Sequence, residues 1–523
     1  MKKILAFCIF VFCIIGVNSC KSSGTSSSAI SRSGVGEERT VVIDLVNKSP
    51  INDGVFEGWG TSLCWWANRV GGNEKLSNEL VDLFFTMDKG IGLNIVRYNI
   101  GGGDEPSHNH ITRSDSAMPG FWKNVDADGN FEYDWTADSR QRNVLRKIVS
   151  KVDENELIIE FFSNSPPYFM TKSGCAGGSN RGWTNNIKDD MYDDFAEYLA
   201  EVTYQLQKIE GIKVASLEPM NEPGADQWKA FNNKQEGCHV TRGGSQSKLL
   251  IKTREALDKR NLKDIIVSGC DEQGAKTQAK SFKSLSSKAK SIVGRINTHT
   301  YKNPDYDGLL KVAQKYGKSL WVSETDGWET IGIKSQMGPA IFFAEKIIKD
   351  LNNHKPSAWI IWQATAGYRD DKPFYGRIDG TGIPTFDNEF WGTAHTDFID
   401  EKVRLSKRYF AFGQFTKFIR PGDYVIYTGL DDFIASYNPT SKSLSIVCVN
   451  PYEEESTCRF DLSSSIKEWK GIKVVRTSGA SLEEGENLEV VRENTASLEK
   501  GIFSGRVLPY SVTTFVVEGV ELL

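Results

Sequence analysis

Short apolar runs alternate with amphipathic stretches along most of this chain, from residue 55 to residue 419. Each run has the length of a single strand, and most are followed by apolar residues that recur every three to four positions, as on one face of a helix. The strands predicted in this region are 55–63, 93–98, 156–162, 214–217, 265–269, 295–299, 320–323 and 358–363.

The clearest helical face carries Phe195, Tyr198, Leu199, Val202, Leu206 and Ile209. Repeated strand–helix units of this kind predict an α/β fold, a closed (β/α)₈ TIM barrel over residues 55–419, and not an open doubly wound sheet. Two predicted loops, 101–137 and 364–402, are long for a compact barrel. Loops of that length are usually functional.

The pattern changes after residue 419 to short β-rich segments separated by turn residues. This pattern of short strands and turns predicts a C-terminal side β-sandwich over residues 420–523. Segment 39–54, which contains an apolar strand before the barrel, is expected to join that sandwich. The predicted sandwich strands are 424–428, 433–437, 444–449, 457–462, 474–477, 488–491 and 513–517.

The first 20 residues have the pattern of an export signal. Lys2 and Lys3 precede an apolar stretch that is too short to span a bilayer, and Ser19-Cys20 follows it. The ending resembles a bacterial lipobox, so we expect Cys20 to become the lipidated N-terminus and the protein to be anchored at the cell envelope. Ordinary secretion is the alternative. Residues 21–38, rich in Ser and Gly, are predicted to be a flexible tether.

Composition narrows the class of partner. Hydrophobic residues make up 39% and charged residues 25% of the chain, as in soluble globular proteins. The net charge of −5 provides no basic footprint for nucleic acid. The 13 Trp, 17 Tyr and 28 Phe residues offer faces that stack on sugar rings, although most are expected in the core.

The cysteines after Cys20 show no zinc-ligand spacing. Export would permit disulfides. Cys448 and Cys458 are candidates to face each other across a hairpin, and Cys175 and Cys238 fall in loops on one rim of the barrel. The remaining two, near strand ends, are expected to be buried thiols: Cys64 and Cys270.

Two glutamates stand at the ends of predicted strands. Glu222 follows strand 214–217 within LEPMNEP, and Glu324 follows strand 320–323 within LWVSET. Strand ends of a barrel meet at its C-terminal rim, where barrel enzymes carry their active sites. Two carboxyls facing each other across a cleft suffice to hydrolyse a glycosidic bond. An isolated glutamate would more often cap a loop or pair with arginine.

The two carboxyls are expected in different environments. Glu222, among apolar residues, should have a raised pKa that suits a general acid, and Asn221 beside it offers an amide to a sugar hydroxyl. Arg97 and Tyr301 should reach Glu324 from neighbouring strand ends and lower its pKa. His299 belongs to the same group. Arg97 and His299 also have a plain structural interpretation as satisfied rim residues.

These motifs together resemble glycoside hydrolase family 30 of clan A, over essentially all of the chain after the signal. The resemblance implies Glu222 as acid/base on the fourth strand and Glu324 as nucleophile on the seventh. It also implies a substrate-binding framework. Asn164, where some members carry Trp, is expected at its rim. The framework residues are Arg97, Asp104, Asn221, His299, Tyr301 and Trp362.

Within the family, GWGTSLCWWA at 58–67 and GGGDEPSH at 101–108 look most like the endo-β-1,6-galactanase branch. Trp65 or Trp66 would stack on a sugar while the other packs in the core, because successive strand residues point to opposite faces. We assign the sugar contact to Trp66.

The resemblance implies retaining hydrolysis by double displacement, with no metal or cofactor, by a monomer acting on polysaccharide such as the galactan side chains of arabinogalactan. A β-1,6-glucanase, an exo-β-glycosidase or a xylan-active enzyme of the same family would share both glutamates. A surface glycan-binding lipoprotein without activity would share the anchor and the aromatics, but would not need the glutamate pair.

Overall fold

The computed structural model describes residues 39–111, 113, 115–232, 235–302, 308–327, 329–368, 390–493 and 495–523. The predicted signal, the tether and Cys20 lie outside these residues. Within the described ranges, every helix is too short or too polar to cross a bilayer.

Eight parallel strands close into a barrel in the order in which they occur in the chain. The last strand pairs with the first, so that Trp359 stands opposite Trp59. The predicted TIM barrel is therefore confirmed. The barrel strands, numbered β1 to β8, are Gly58–Ser62, Ile95–Asn99, Ile158–Phe162, Ser216–Glu218, Ile266–Glu272, Val293–His299, Ser319–Thr325 and Ala358–Ile361.

Helices separate the strands and cover the barrel, because each buries one apolar stripe against the sheet. On the predicted helical face, Phe195, Tyr198, Leu199, Val202 and Leu206 are buried, but Ile209 is 51% exposed in the last turn. The described helices α1 to α10 are Trp66–Val70, Glu74–Phe85, Ser139–Lys151, Tyr192–Glu210, Gly244–Lys259, Ala275–Ser284, Ser287–Ile292, Gly308–Tyr316, Met337–His354 and Lys407–Thr416. Two 3₁₀ turns are Asn52–Gly54 and Tyr168–Met170.

Two strand ends differ from the prediction in ways that matter for the rim. β7 continues through Thr325, so Glu324 lies inside the strand and not after it. β4 stops at Glu218, and Glu222 lies in the turn beyond, with a left-handed backbone (φ 46°). The predicted loop 364–402 is partly a three-stranded sheet of Thr365–Tyr368, Ala394–Asp397 and Lys402–Leu405.

The C-terminal part is a β-sandwich, as predicted. Phe460 and Phe503 of one sheet and Ile446 and Phe515 of the other share one apolar core. The larger sheet consists, in spatial order, of Tyr424–Ile426, Phe433–Asn438, Ser443–Asn450, Ser511–Glu518, Gly471–Thr477 and Asn487–Val491. The smaller sheet consists of Arg39–Val42, Ser456–Asp461, Ile502–Val507 and Ala496–Glu499.

The strand that precedes the barrel does pair into the sandwich. Arg39–Val42 runs parallel to Ser456–Asp461. After residue 419, the pattern missed four described strands, which are short or interrupted by glycine: Ile466–Glu468, Ala496–Glu499, Ile502–Val507 and Glu521–Leu522.

Export would permit disulfides, but none forms among the six cysteines that the structure describes. All six are buried free thiols: Cys64, Cys175, Cys238, Cys270, Cys448 and Cys458. Cys448 and Cys458 do not face each other across a hairpin, because Cys448 belongs to the larger sheet of the sandwich and Cys458 to the smaller one.

Helix α10 joins the barrel to the sandwich through polar contacts. Gln414 donates to Thr477 Oγ1 at 3.0 Å and accepts from Thr514 Oγ1 at 2.6 Å. Lys407 at the start of the helix is fully buried. Its ammonium donates to the carbonyls of Ser478, Glu484 and Glu486 and to Asn487 Oδ1.

We expect Lys407→Ala to lower the free energy of unfolding by about 3 kcal/mol, because several buried acceptors lose a charged donor. Denaturant unfolding followed by fluorescence measures the change. Lys402→Ala, at a lysine whose side chain is 49% exposed, is the matched control and should change stability little. A Lys407→Ala protein as stable as this control would contradict the assigned role.

Candidate active site

A cavity of about 310 Å³ opens at the C-terminal ends of the barrel strands and contains both predicted glutamates. Glu222 reaches it from the turn after β4, and Glu324 from the end of β7. The lining residues are Cys64, Trp65, Arg113, Phe162, Asn164, Asn221, Glu222, Gln227, Trp228, Gln235, Gln273, Tyr301, Lys302, Glu324, Trp362 and Trp391.

Three side chains from different rim segments orient the Glu222 carboxyl. Its Oε2 accepts from Gln273 Nε2 at 2.7 Å and from Gln227 Nε2 at 3.1 Å. Its Oε1 lies 3.0 Å from His299 Nδ1. The backbone is also tied, because Trp228 Nε1 donates to the carbonyl of Glu222 at 2.8 Å. The carboxyl is thus held in one direction, facing the cavity.

Glu324 has three cationic or hydroxyl neighbours at longer distances. Arg97 Nη1 lies 3.5 Å from Oε2, while Tyr301 Oη and His299 Nδ1 lie 3.3 and 3.7 Å from Oε1. Burial nevertheless raises the pKa of Glu324 to about 7, with Arg97 and His299 opposing the shift and Glu222 adding to it. The expected lowering of this pKa is therefore wrong. The residue is only 7% exposed, and loss of hydration outweighs its cations.

The two carboxyls are close together. One oxygen of Glu222, one oxygen of Glu324 and a ring nitrogen of His299 all lie within 4.8 Å of one another. Inverting glycosidases separate their carboxyls by about 6.5–9.5 Å to admit a water, and retaining ones by about 5–5.5 Å. The arrangement suits direct attack by one carboxylate on a sugar held between the pair.

A buried ionic network lies beneath the pair. Arg97 donates to Glu160 at 2.9 Å and to Asp271 at 2.6 Å, and Asp271 lies 3.3 Å from His299 Nε2. Burial disfavours the charged form of His299, but the charges of Glu324 and Asp271 outweigh it and raise its pKa well above the usual value. Burial likewise opposes ionisation of Asp271, yet Arg97 and His299 hold its pKa below the usual value.

Aromatic rings form one wall of the cavity. Trp362 packs edge-on against Trp65 and Trp391, with ring centroids 5.5 and 4.9 Å apart. The Arg113 guanidinium lies 4.9 Å from the centre of the Trp65 ring. Such a wall offers apolar faces together with a cation, a combination suited to the C–H faces and hydroxyls of a sugar.

A sequence model of O-glycosyl hydrolase family 30 matches residues 38–293, which include β1 to β5 and Glu222. The matched segment, residues 38–293, belongs to glycoside hydrolase family 30. It is 29% identical over 449 residues to an endo-β-1,6-galactanase of Hypocrea rufa, covering 82% of this chain and 84% of that protein.

Two further similarities extend the comparison. The chain is 24% identical over 540 residues to an exo-β-1,6-galactobiohydrolase of Bifidobacterium longum subsp. longum, covering 80% of this chain but 35% of that longer protein. The fold matches the catalytic domain of a family 30 xylanase C of Talaromyces cellulolyticus with a TM-score of 0.65 at 16% identity, over 92% of this chain and 100% of that one.

The cavity brings together most of the predicted site residues. Asn164, Asn221, Tyr301 and Trp362 line it beside the two glutamates. Arg97 and His299 lie beneath them, fully buried and in contact with the carboxyls.

Two predicted positions are wrong. Trp66 begins helix α1, is 2% exposed in the barrel core and donates from Nε1 to the carbonyl of Ser62 at 2.8 Å. Because the chain turns into a helix there, Trp65 faces the cavity instead. Asp104 does not line the cavity. Its carboxylate is directed at His108, His110 and the backbone N–H of Ala176.

The sequence reasoning missed Asp271, Gln273, Gln227, Arg113 and Trp391. Asp271 and Gln273 come directly after a predicted strand, so the strand-end rule that selected Glu222 would also have selected them. The other three lie in long rim loops, where the sequence carries no comparable positional signal.

The raised pKa of Glu324 has a kinetic consequence. A nucleophilic carboxylate must be ionised, so we expect kcat/KM on an aryl glycoside to fall as pH drops through about 7. Removing the cation in His299→Asn should raise the Glu324 pKa further and move this acid limb to higher pH. His239→Asn, at a rim histidine 3.4 Å from the carbonyl of Ala225, is the control. An acid limb that His299→Asn leaves in place would contradict this electrostatic account.

Proposed function

We propose that this chain is an endo-β-1,6-galactanase that hydrolyses its substrate with retention by double displacement. The observation that carries the proposal is the glutamate pair, whose nearest oxygens lie within 4.8 Å of each other beside His299. A non-catalytic glycan-binding protein would have no use for two buried carboxyls at this separation.

In the first step Glu324 attacks the anomeric carbon and Glu222 protonates the departing glycosidic oxygen. The anomeric C–O bond breaks as the bond to Glu324 forms, which leaves a covalent glycosyl-enzyme. Arg97 and Tyr301, within 3.5 Å of Glu324, stabilise its carboxylate before attack and after release.

In the second step Glu222, now a carboxylate, removes a proton from water, and the oxygen of that water displaces Glu324. The donors Gln227, Gln273 and His299 around Glu222 stabilise the charged form that this step requires. Glu222 ends protonated and Glu324 ionised, so the cycle closes without a metal or organic cofactor.

Galactan is favoured as substrate because the relatives from Hypocrea rufa and Bifidobacterium longum are named as an endo-β-1,6-galactanase and an exo-β-1,6-galactobiohydrolase. The Trp65, Trp362 and Trp391 wall beside Arg113 offers stacking faces to the sugar rings of such a polymer, and arabinogalactan side chains are the proposed natural source. An exo-acting enzyme is the second candidate, since the Bifidobacterium relative is named as one.

The proposed setting is the bacterial cell envelope. Residues 1–20 would be the signal with Cys20 as the lipid anchor, and residues 21–38 the tether, followed by the sandwich strand segment 39–54, the barrel 55–419 and the sandwich 420–523. A random coil of this length reaches about 20–25 Å, enough for a monomer to work clear of the headgroups.

Substitutions distinguish the two carboxyl roles. We expect Glu324→Ala to abolish turnover, with azide or formate restoring some of it and inverting the product. Glu222→Ala should lower kcat on the polymer by about 10²–10⁴-fold, but much less on aryl glycosides whose leaving group needs no proton. Equal losses on both substrates would refute the acid assignment. Glu236→Gln, at a buried rim glutamate outside the cavity lining, is the matched control.

The substrate proposal is tested by product analysis on β-1,6-galactan, β-1,6-glucan and xylan. Short β-1,6-galactooligosaccharides of several lengths should appear early in digestion of galactan. A single small product from the start would favour the exo candidate. Activity on β-1,6-glucan without activity on galactan would reject the galactanase proposal and leave both glutamate roles intact.

A further inference from the structure

A second cluster of polar side chains lies on the barrel rim, away from the lining of the catalytic cavity. The loop after β2 contributes Asp104, His108 and His110, and the loop after β3 contributes Cys175. Asp104 Oδ2 lies 2.7 Å from His110 Nε2, which lies 3.1 Å from Cys175 Sγ. One ligand atom of each of these three residues lies within 4.8 Å of the other two.

Backbone groups aim two of these atoms into the cluster. The N–H of Ala176 donates to Asp104 Oδ1 at 2.9 Å, which leaves Oδ2 directed at His110. The N–H of Gly177 donates to Cys175 Sγ at 3.2 Å, so the sulfur is held as an acceptor. A thiolate accepts such a bond better than a thiol.

One ring nitrogen of His110 stands between the carboxylate and the sulfur. His110 Nε2 faces the Asp104 carboxylate and the Cys175 sulfur at once, and a ring nitrogen carries at most one proton. A single proton serves one of the two contacts well. A divalent cation would satisfy an oxygen, a nitrogen and a sulfur together.

We propose that Asp104 Oδ2, His110 Nε2 and Cys175 Sγ bind one zinc ion, with water in the fourth position. A mixed set of carboxylate, imidazole and thiolate suits zinc better than magnesium or calcium, which prefer oxygen alone. Bonds of about 2.0–2.3 Å place tetrahedral ligand atoms roughly 3.3–3.7 Å apart. The observed contacts of 2.7 and 3.1 Å need to open by only about half an ångström on binding.

The surroundings complete a structural site. His108 Nδ1 lies 3.1 Å from Asp104 Oδ2 and would orient that ligand. The Phe231 ring packs edge-on against the His108 and His110 rings, at 4.9 and 5.6 Å, and shields them on one side. Cys175 is fully buried.

The ion would stabilise the loops of the rim and would take no part in hydrolysis. It would join the β2 loop, which also carries Arg113 into the catalytic cavity, to the β3 loop. The ligands come from two separate loops, which is why no zinc spacing is visible in the sequence. The glutamate pair is a different set of residues and needs no metal.

The test uses the full chain after signal removal, stripped with a chelator and titrated with Zn²⁺ against a chromogenic chelator. We expect one zinc per chain. Cys175→Ser and His110→Ala should each weaken binding at least about 100-fold, and His108→Ala by about tenfold. Cys238→Ser, at another buried rim cysteine, is the control and should bind as the unchanged protein does.

Cobalt gives an independent readout on the unchanged protein, which does not depend on whether the variants fold. Co²⁺ should produce a thiolate-to-metal charge-transfer band in the near ultraviolet. The proposal is overturned if the unchanged protein takes up no zinc, if the band does not appear, or if folded Cys175→Ser and His110→Ala proteins bind zinc as tightly as the control. None of these measurements involves galactan, so their failure is separable from failure of the proposed function.

Discussion

The site depends on one buried cation, the guanidinium of Arg97. It is fully buried at the centre of the barrel mouth and donates to Glu160 and Asp271 while lying 3.5 Å from Glu324. Removing one partner from a buried charge network costs about 3–5 kcal/mol, because the remaining charges are left unpaired. Position 97 is therefore constrained by the fold and by the chemistry at once.

His299 extends this constraint to the second carboxyl. Its two ring nitrogens face Asp271 on one side and Glu222 and Glu324 on the other. The protonated ring thus places a positive charge beside both glutamates, where their carboxyls approach each other. Barrel closure makes this possible, since β2, β5, β6 and β7 contribute Arg97, Asp271, His299 and Glu324 to one small volume.

The barrel and the two glutamates of the site can be predicted from the sequence, because they follow from hydrophobic periodicity and from the positions of strand ends. Apolar runs alternating with helical stripes specify a barrel, and its topology places the residue at each strand end on one rim. Glu222 and Glu324 were found in this way. The prediction for Trp66 fails because the strand alternation ends at Ser62 and a helix begins at Trp66. The pKa of Glu324 differs from the prediction because strand ends indicate which charges lie nearby, whereas the depth of burial cannot be read from the sequence. The resemblance assigns Asp104 to the sugar, but its carboxylate faces His108 and His110 of its own loop and the backbone of Ala176 in the next one.

The stereochemistry of hydrolysis tests the central claim most directly. Proton NMR of the first-formed product, recorded before mutarotation, reports the configuration at the new reducing end. A pair with oxygens within 4.8 Å leaves no place for a water to attack from the opposite face, so the account predicts the β-anomer. Initial release of the α-anomer would mean inversion and would contradict Glu324 as the nucleophile.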